Sequence, residues 1–267
     1  MAQVVADEAV ALTYLKARID IRPRVGLVLG SGLGTIAESF ERAALVEASD
    51  IPGYPRGAVP GHRGRLVFAH SQGVPIVAFQ GRVHFYECNS VPSVLLPIRI
   101  AHLLGVRTLL VTNAAGGINR RYAAGDLMLI TDQINLTGET IPQYPDQVER
   151  AYPLYSRDLI GLIAGIAEDL HVKLWQGVYA GVKGPSYETA AEVEMINRLG
   201  GDAVGMSTVL ETALAGSLGM RVAGISCITN RATGTGSGPL SHDEVTAAAD
   251  HAREDFSRLV HAVIGRL

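Results

Sequence analysis

The sequence predicts an α/β protein built on one central, largely parallel sheet covered by helices. Three observations carry that expectation. Short apolar runs rich in β-branched residues alternate with longer stretches of helical periodicity. The runs are close to continuously apolar, as strands buried on both faces tend to be. The 267 residues are 48% hydrophobic and contain no repeat, low-complexity tract or evident linker, which fits a single domain over 1–267.

The elements follow in order. Val25–Leu29, Pro75–Phe79, Thr108–Thr112, Leu127–Ile134, Trp175–Ala180 and Arg221–Thr229 are short and apolar and are expected to be strands. Val91–Leu104, Ser156–Leu170, Ala190–Leu199 and Thr208–Leu218 are expected to be helices. Three helix starts carry capping boxes, Thr189 with Glu192, Thr208 with Glu211 and Ser241 with Glu244. These set Glu188, Ser207 and His242 at or beside helix N-termini, where functional side chains of α/β proteins collect.

Composition excludes several classes. A net charge of −3 gives no general attraction to nucleic acid or to a membrane surface. No apolar stretch reaches the length of a membrane span, and the N-terminal run holds Asp7 and Glu8 where a signal peptide would begin with basic residues. A cytoplasmic protein is expected. Cys88 and Cys227 are too few for a disulfide framework and are expected to be small buried side chains.

Four constellations bear chemistry. Gly30-Ser31-Gly32-Leu33-Gly34 follows the first strand and precedes a helical run; it is either a tight strand–helix turn or an anion cradle. It matches neither the dinucleotide fingerprint, since Thr35 stands where a glycine is needed, nor a P-loop. Arg82, His84 and Tyr86 fall on one face if the strand through Phe79 continues, which makes an oxyanion clamp or a solvated edge. Thr112–Asn119 (TNAAGGIN) reads as a small-residue loop that lets a ligand approach the main chain. The fourth is the set Gly184–Glu188, Val204–Ser207 and Thr229-Asn230; each part alone is an ordinary turn or cap.

Together these segments carry more information than any one. GSGLG, GHRGRLVF, QGRVHFYE, TNAAGGIN, GDLMLITDQIN, GPSYETAAE, GDAVGMSTVLE, ITN and SHDEV occur in this order. The chain from Val25 to Val260 resembles the trimeric, 6-oxopurine-specific purine nucleoside phosphorylases. The resemblance implies a single domain with a mixed, twisted, partly barrel-like sheet surrounded by helices, and a homotrimer. It implies a phosphate site of Ser31, Arg82, His84, the Ala114 N–H and Ser207, with His62 on a flap. It implies nucleoside contacts from Tyr86, Val204 and Met206, His242 facing the 5′-hydroxyl, Glu188 and Asn230 reading the base, and Tyr187 packing on the purine. Asn230, His84, Glu188 and His242 are the residues it places closest to catalysis. Tyr152 aligns with an aromatic that the family lends to the neighbouring subunit's site.

This sequence departs from mammalian members at Tyr187 and Tyr152, where they have phenylalanine, and both keep a ring face. Arg231 stands where lysine is common, Cys88 where glycine is expected, and the segment from Gly138 to Tyr152 is shorter. The implied substrates are a purine nucleoside and inorganic phosphate, with no metal or other cofactor. Glu188 as a carboxylate accepts the N1–H of hypoxanthine or guanine but meets a lone pair on adenine. A methylthioadenosine phosphorylase would carry aspartate in place of Asn230; a hydrolytic nucleosidase would not require phosphate. A catalytically silent nucleoside-binding protein is disfavoured because the phosphate-clamp and base-reading positions are both filled.

Overall fold

A computed structural model describes residues 2–57, 59, 62–141, 153–234 and 242–267, with only the backbone path of 2–7 and 242–251. The described elements gather on one nine-stranded mixed sheet. At its centre β1 (Val25–Leu29) lies parallel to β4 (Val74–Gln80) on one side and to β5 (Thr108–Gly117) on the other. All five residues of β1 are buried, which accounts for its unbroken apolar sequence. Beyond β4 come β3 (Arg65–Ser71) and then β2 (Glu41–Glu47), both antiparallel, so β2 is the edge.

The other half curls into a closed ring. β5 runs parallel to β9 (Arg221–Arg231), and β9 is antiparallel to β6 (Leu127–Asn135). β6 runs parallel to β7 (Leu174–Gly181), and β7 runs parallel to β8 (Ala203–Gly205). β8 returns antiparallel to β5 through Gly116 and Gly117. The sheet is therefore mixed and partly barrel-like, as the resemblance implied, rather than largely parallel.

Helices cover both faces. α7 (His242–Ile264) and α4 (Arg157–Asp169) bury Phe256, Leu259, Val263, Leu159 and Ile163 against Leu27, Leu29 and Ile76. On the opposite face α1 (Ala2–Lys16), α3 (Val91–Leu104) and α6 (Val209–Ser217) bury Leu15, Leu95, Ile98 and Leu214 against Val28 and Val77. α5 (Ala190–Arg198) contributes Val193 and Ile196 to a smaller cluster with Ala180 and Val204. Ser90 caps α3 by accepting from the Ser93 N–H at 3.3 Å, and Gly105 at φ 110° ends it.

Three sequence expectations are corrected. β5 does not stop at Thr112: β9 pairs with it through Gly117, so TNAAGGIN is mostly strand and not a loop. Its neighbour Gly30 is needed for that packing, since a Cβ there would lie 2.7 Å from Asn113 Cα. The run that follows is a short 3₁₀ turn, Gly34–Glu38, so GSGLG does not lead directly into an α-helix. And β4 ends at Gln80: Gly81 at φ 105° turns the chain, and Phe85–Cys88 forms a single helical turn, α2, ended by Asn89 at φ 48°. Arg82, His84 and Tyr86 are thus not neighbours on a strand face. Cys88 is half-buried and sits in α2 at an ordinary helical position, so nothing there demands glycine; Cys227 is buried in β9, and both are free thiols.

Candidate active site

β1, β4, β5 and β9 all point the same way, and a cleft open to solvent, with a cavity volume of about 130 Å³, lies at their carboxyl ends. Each strand delivers its residues there. Ser31 follows β1, Arg82 follows the turn after β4, Ala114 lies within β5, and Asn230 lies near the end of β9. Met206 and Ser207 follow β8, and Tyr187 and Glu188 precede the Thr189 cap of α5. Ser31, Arg82, His84, Tyr86, Ala114, Tyr187, Glu188, Val204, Met206, Ser207 and Asn230 all line this one cleft. His62 adjoins it. The His242 side chain and the whole of Tyr152 lie outside the described residues.

One end of the cleft is rich in donors. The buried Arg82 guanidinium donates through Nη1 to Glu211 Oε2 at 2.8 Å and to Thr208 Oγ1 at 3.3 Å, and through Nη2 to the Thr112 carbonyl. His62 Nδ1 donates to the Arg82 carbonyl at 2.9 Å, which leaves Nε2 to accept from Ser31 Oγ at 3.1 Å. Burial and the neighbouring His84 pull the His62 pKa down to about 4, so the ring is neutral at pH 7. The rings of His62 and His84 stack at 5.2 Å, and those of His84 and Tyr86 at 5.1 Å, each pair 14° from parallel. Glu87 Oε2 lies 3.1 Å from His84 Nδ1. Gly81 permits this stacking, because a Cβ there would lie 2.7 Å from His62 Cβ.

The lining of the cleft also includes a carboxylate and an amide. Glu188 is half-buried, and burial raises its carboxyl pKa above the usual range. Asn230 Oδ1 accepts from Thr229 Oγ1 at 2.9 Å, which fixes the amide orientation, while Nδ2 donates to the Arg231 carbonyl at 3.0 Å. Gly184 brings Met206 and Tyr86 together; a Cβ there would lie 2.5 Å from Met206 Sδ and 3.0 Å from Tyr86 Cδ1. Among the described residues, no three His, Cys, Asp or Glu side chains gather as a metal site. No helix among them is long and apolar enough to cross a membrane.

Sequence reading named no role for Val59, Asn113, Gly205 or Thr229, which also line the cleft, nor for Thr208 and Tyr179 behind it. The Ser207 N–H lies 3.4 Å from Tyr179 Oη. Nothing local in YAGV marks Tyr179, whose position depends on β7 lying beside β8.

The fold and the cleft define a class. Residues 24–265 match the phosphorylase superfamily. Purine nucleoside phosphorylase 1 of Bacillus subtilis (strain 168) is 45% identical over 96% of this chain and 97% of its own. A Schistosoma mansoni purine nucleoside phosphorylase solved in complex with adenosine superposes with a TM-score of 0.89 at 34% identity, covering 98% of this chain and 97% of that one, and a schistosoma purine nucleoside phosphorylase solved with hypoxanthine gives the same values. Isoform 2 from the same organism, solved with cytosine and ribose-1-phosphate, gives 0.87 at 36% identity over 98% and 96%. The chain belongs to the purine nucleoside phosphorylases.

Proposed function

We propose that this enzyme cleaves 6-oxopurine ribonucleosides and deoxyribonucleosides, inosine and guanosine, with inorganic phosphate, releasing free base and (deoxy)ribose 1-phosphate for purine salvage in the cytoplasm. The observation that carries the reading is the polarity of the cleft. Donors gather around Arg82, and a carboxylate, Glu188, and an oriented amide, Asn230, line the same cleft.

The chemistry asks for little more. Departure of the purine leaves positive charge on the ribosyl centre and builds negative charge on the base, while phosphate waits on the opposite face. Positioning and charge stabilisation supply most of the catalysis in such a displacement. Arg82, Ser31, Ser207 and the Ala114 N–H hold phosphate, and His84 adds Nε2, since Glu87 engages its Nδ1. Tyr86, Val204 and Met206 pack the sugar, His242 meets the 5′-hydroxyl, and Tyr187 covers the purine. Asn230 donates to N7 as charge gathers there. Glu188 accepts from N1–H, a donor that adenine lacks, and discrimination on such a buried polar mismatch reaches about 10⁴-fold. The discrimination belongs to turnover, because a related structure holds adenosine.

The working unit is a homotrimer in which Tyr152 completes a neighbour's site, and no metal or other cofactor takes part. Light scattering should report a trimer at assay concentration, and Tyr152→Ala should raise the nucleoside KM without dissociating it. The function is tested with inosine, guanosine and adenosine, each with and without phosphate and with EDTA. Rapid cleavage of the first two in phosphate, insensitive to EDTA, is expected. Equal turnover of adenosine would remove the 6-oxopurine assignment.

A further inference from the structure

We propose that Glu211 is the positioning residue of the phosphate end of the cleft, one carboxylate oxygen that locks Arg82 and the Ser207–Thr208 turn to each other. The proposal rests on the phosphate role of Arg82 and Ser207 given above.

The same sequence device has opposite outcomes at α5 and α6. At α5 the capping-box Glu192 is exposed and bonds only to its own cap: Oε2 takes the Thr189 N–H at 2.7 Å and lies 2.9 Å from the Thr189 hydroxyl. At α6 the equivalent Glu211 is 3% exposed. A capping bond alone does not offset taking a carboxylate out of water; a buried carboxylate needs a charged partner and further donors. Glu211 has both on a single oxygen. Oε2 accepts from Arg82 Nη1 at 2.8 Å and from the Thr208 N–H at 2.8 Å.

That shared oxygen couples two parts of the site that come from distant segments. Thr208 is held at φ 76°, an unfavourable conformation for a β-branched residue. Its N–H would be a buried unpaired donor without Glu211. Its hydroxyl receives Arg82 Nη1 and, at 2.9 Å, Asn113 Nδ2, and lies 3.1 Å from Ser207 Oγ. The strained turn therefore sets where the Ser207 hydroxyl stands, and the Arg82 guanidinium is braced on the same carboxylate. Glu211 does not line the cleft, so it acts through these two neighbours.

Glu211→Gln tests this, because glutamine keeps the shape and one acceptor but loses the charge that holds Arg82. The expected result is a rise of tenfold or more in the KM for phosphate, with the inosine KM within twofold of wild type. Phosphate added to the free protein should raise Tm in the wild type and much less in the variant, a binding readout that needs no turnover. In an Arg82→Ala background the substitution should cost nothing further in phosphate KM. A merely structural role would lower Tm, move both KM values together and add to Arg82→Ala; that pattern overturns the proposal, as does an unchanged or lower phosphate KM. If Glu211→Gln does not fold, Glu211→Asp, which keeps the charge but shortens the reach, is read by the same criteria. Failure of the wild type to use phosphate with inosine would instead count against the assigned function.

Discussion

Asn230→Asp exchanges the amide that separates the two classes of purine. In the parent, Thr229 donates to Oδ1 and Nδ2 donates to the Arg231 carbonyl, so the NH₂ edge is the one available to N7. The aspartate keeps the bond from Thr229 but has no hydrogen to donate, and its second oxygen confronts both the Arg231 carbonyl and N7. For inosine this removes a hydrogen bond to a group that is gaining charge, worth roughly 1.5–3 kcal/mol, and adds a lone-pair conflict. A total near 3 kcal/mol corresponds to a fall of about 150-fold in kcat/KM. For adenosine the carboxylate gains a bond from the 6-amino group worth about 1 kcal/mol, or about fivefold. N7 is common to both purines, so the loss there lowers both rates and cancels from the comparison, and the adenosine-to-inosine ratio should rise by about fivefold on the 6-amino bond alone. Initial rates on both nucleosides at saturating phosphate, with Tm as a folding control, give that ratio. A ratio unchanged from wild type would refute the reasoning and take Asn230 out of base selection.

Three further outcomes are expected. Because burial raises the Glu188 pKa, kcat/KM for inosine should fall on acidification through a value above the usual carboxylate range; Glu188→Gln keeps an acceptor and should lose this acid limb, and a limb that persists would reassign it. His62 titrates near pH 4 when folded and near 6.5 when unfolded, so its contribution to stability is complete above pH 6.5 and is lost as pH falls toward 4; Tm scans of His62→Gln should show a shallower decline over that window. Gly30→Ala sets a Cβ 2.7 Å from Asn113 Cα and 2.8 Å from the Thr112 carbonyl, which only a shift of β1 from β5 relieves. It should cost about 3 kcal/mol or more, a Tm loss of roughly 6 °C or greater, whereas Gly161→Ala in α4, with open space at its Cβ, should gain stability.

The strand that sequence reading matched residue for residue is β1, which burial on both faces makes apolar throughout. The strands it missed obey other rules. β2 is an edge strand with exposed Glu41 and Arg42, and β8 is three residues that pair only because the ring closes. The β3–β4 turn is Gln72-Gly73, both at positive φ, a hairpin without the usual asparagine or aspartate before glycine. At the cleft, that the named residues come together was legible because they lie in ordered motifs, but their arrangement was not. The period-two rule places Arg82, His84 and Tyr86 on one face; in fact a glycine turn, a one-turn helix and ring stacking on His62 bring them to one cleft. Thr208 and Glu211 read as a helix cap, and nothing in TVLE reveals that Arg82, 129 residues away in sequence, shares the carboxylate.

The most direct test of the central claim follows the phosphorus. Inosine and inorganic phosphate incubated with the enzyme, observed by ³¹P NMR, should yield ribose 1-phosphate in step with hypoxanthine release, and phosphate-free buffer should yield neither. Hypoxanthine appearing at the same rate without phosphate, with free ribose and no new phosphorus signal, would contradict the account.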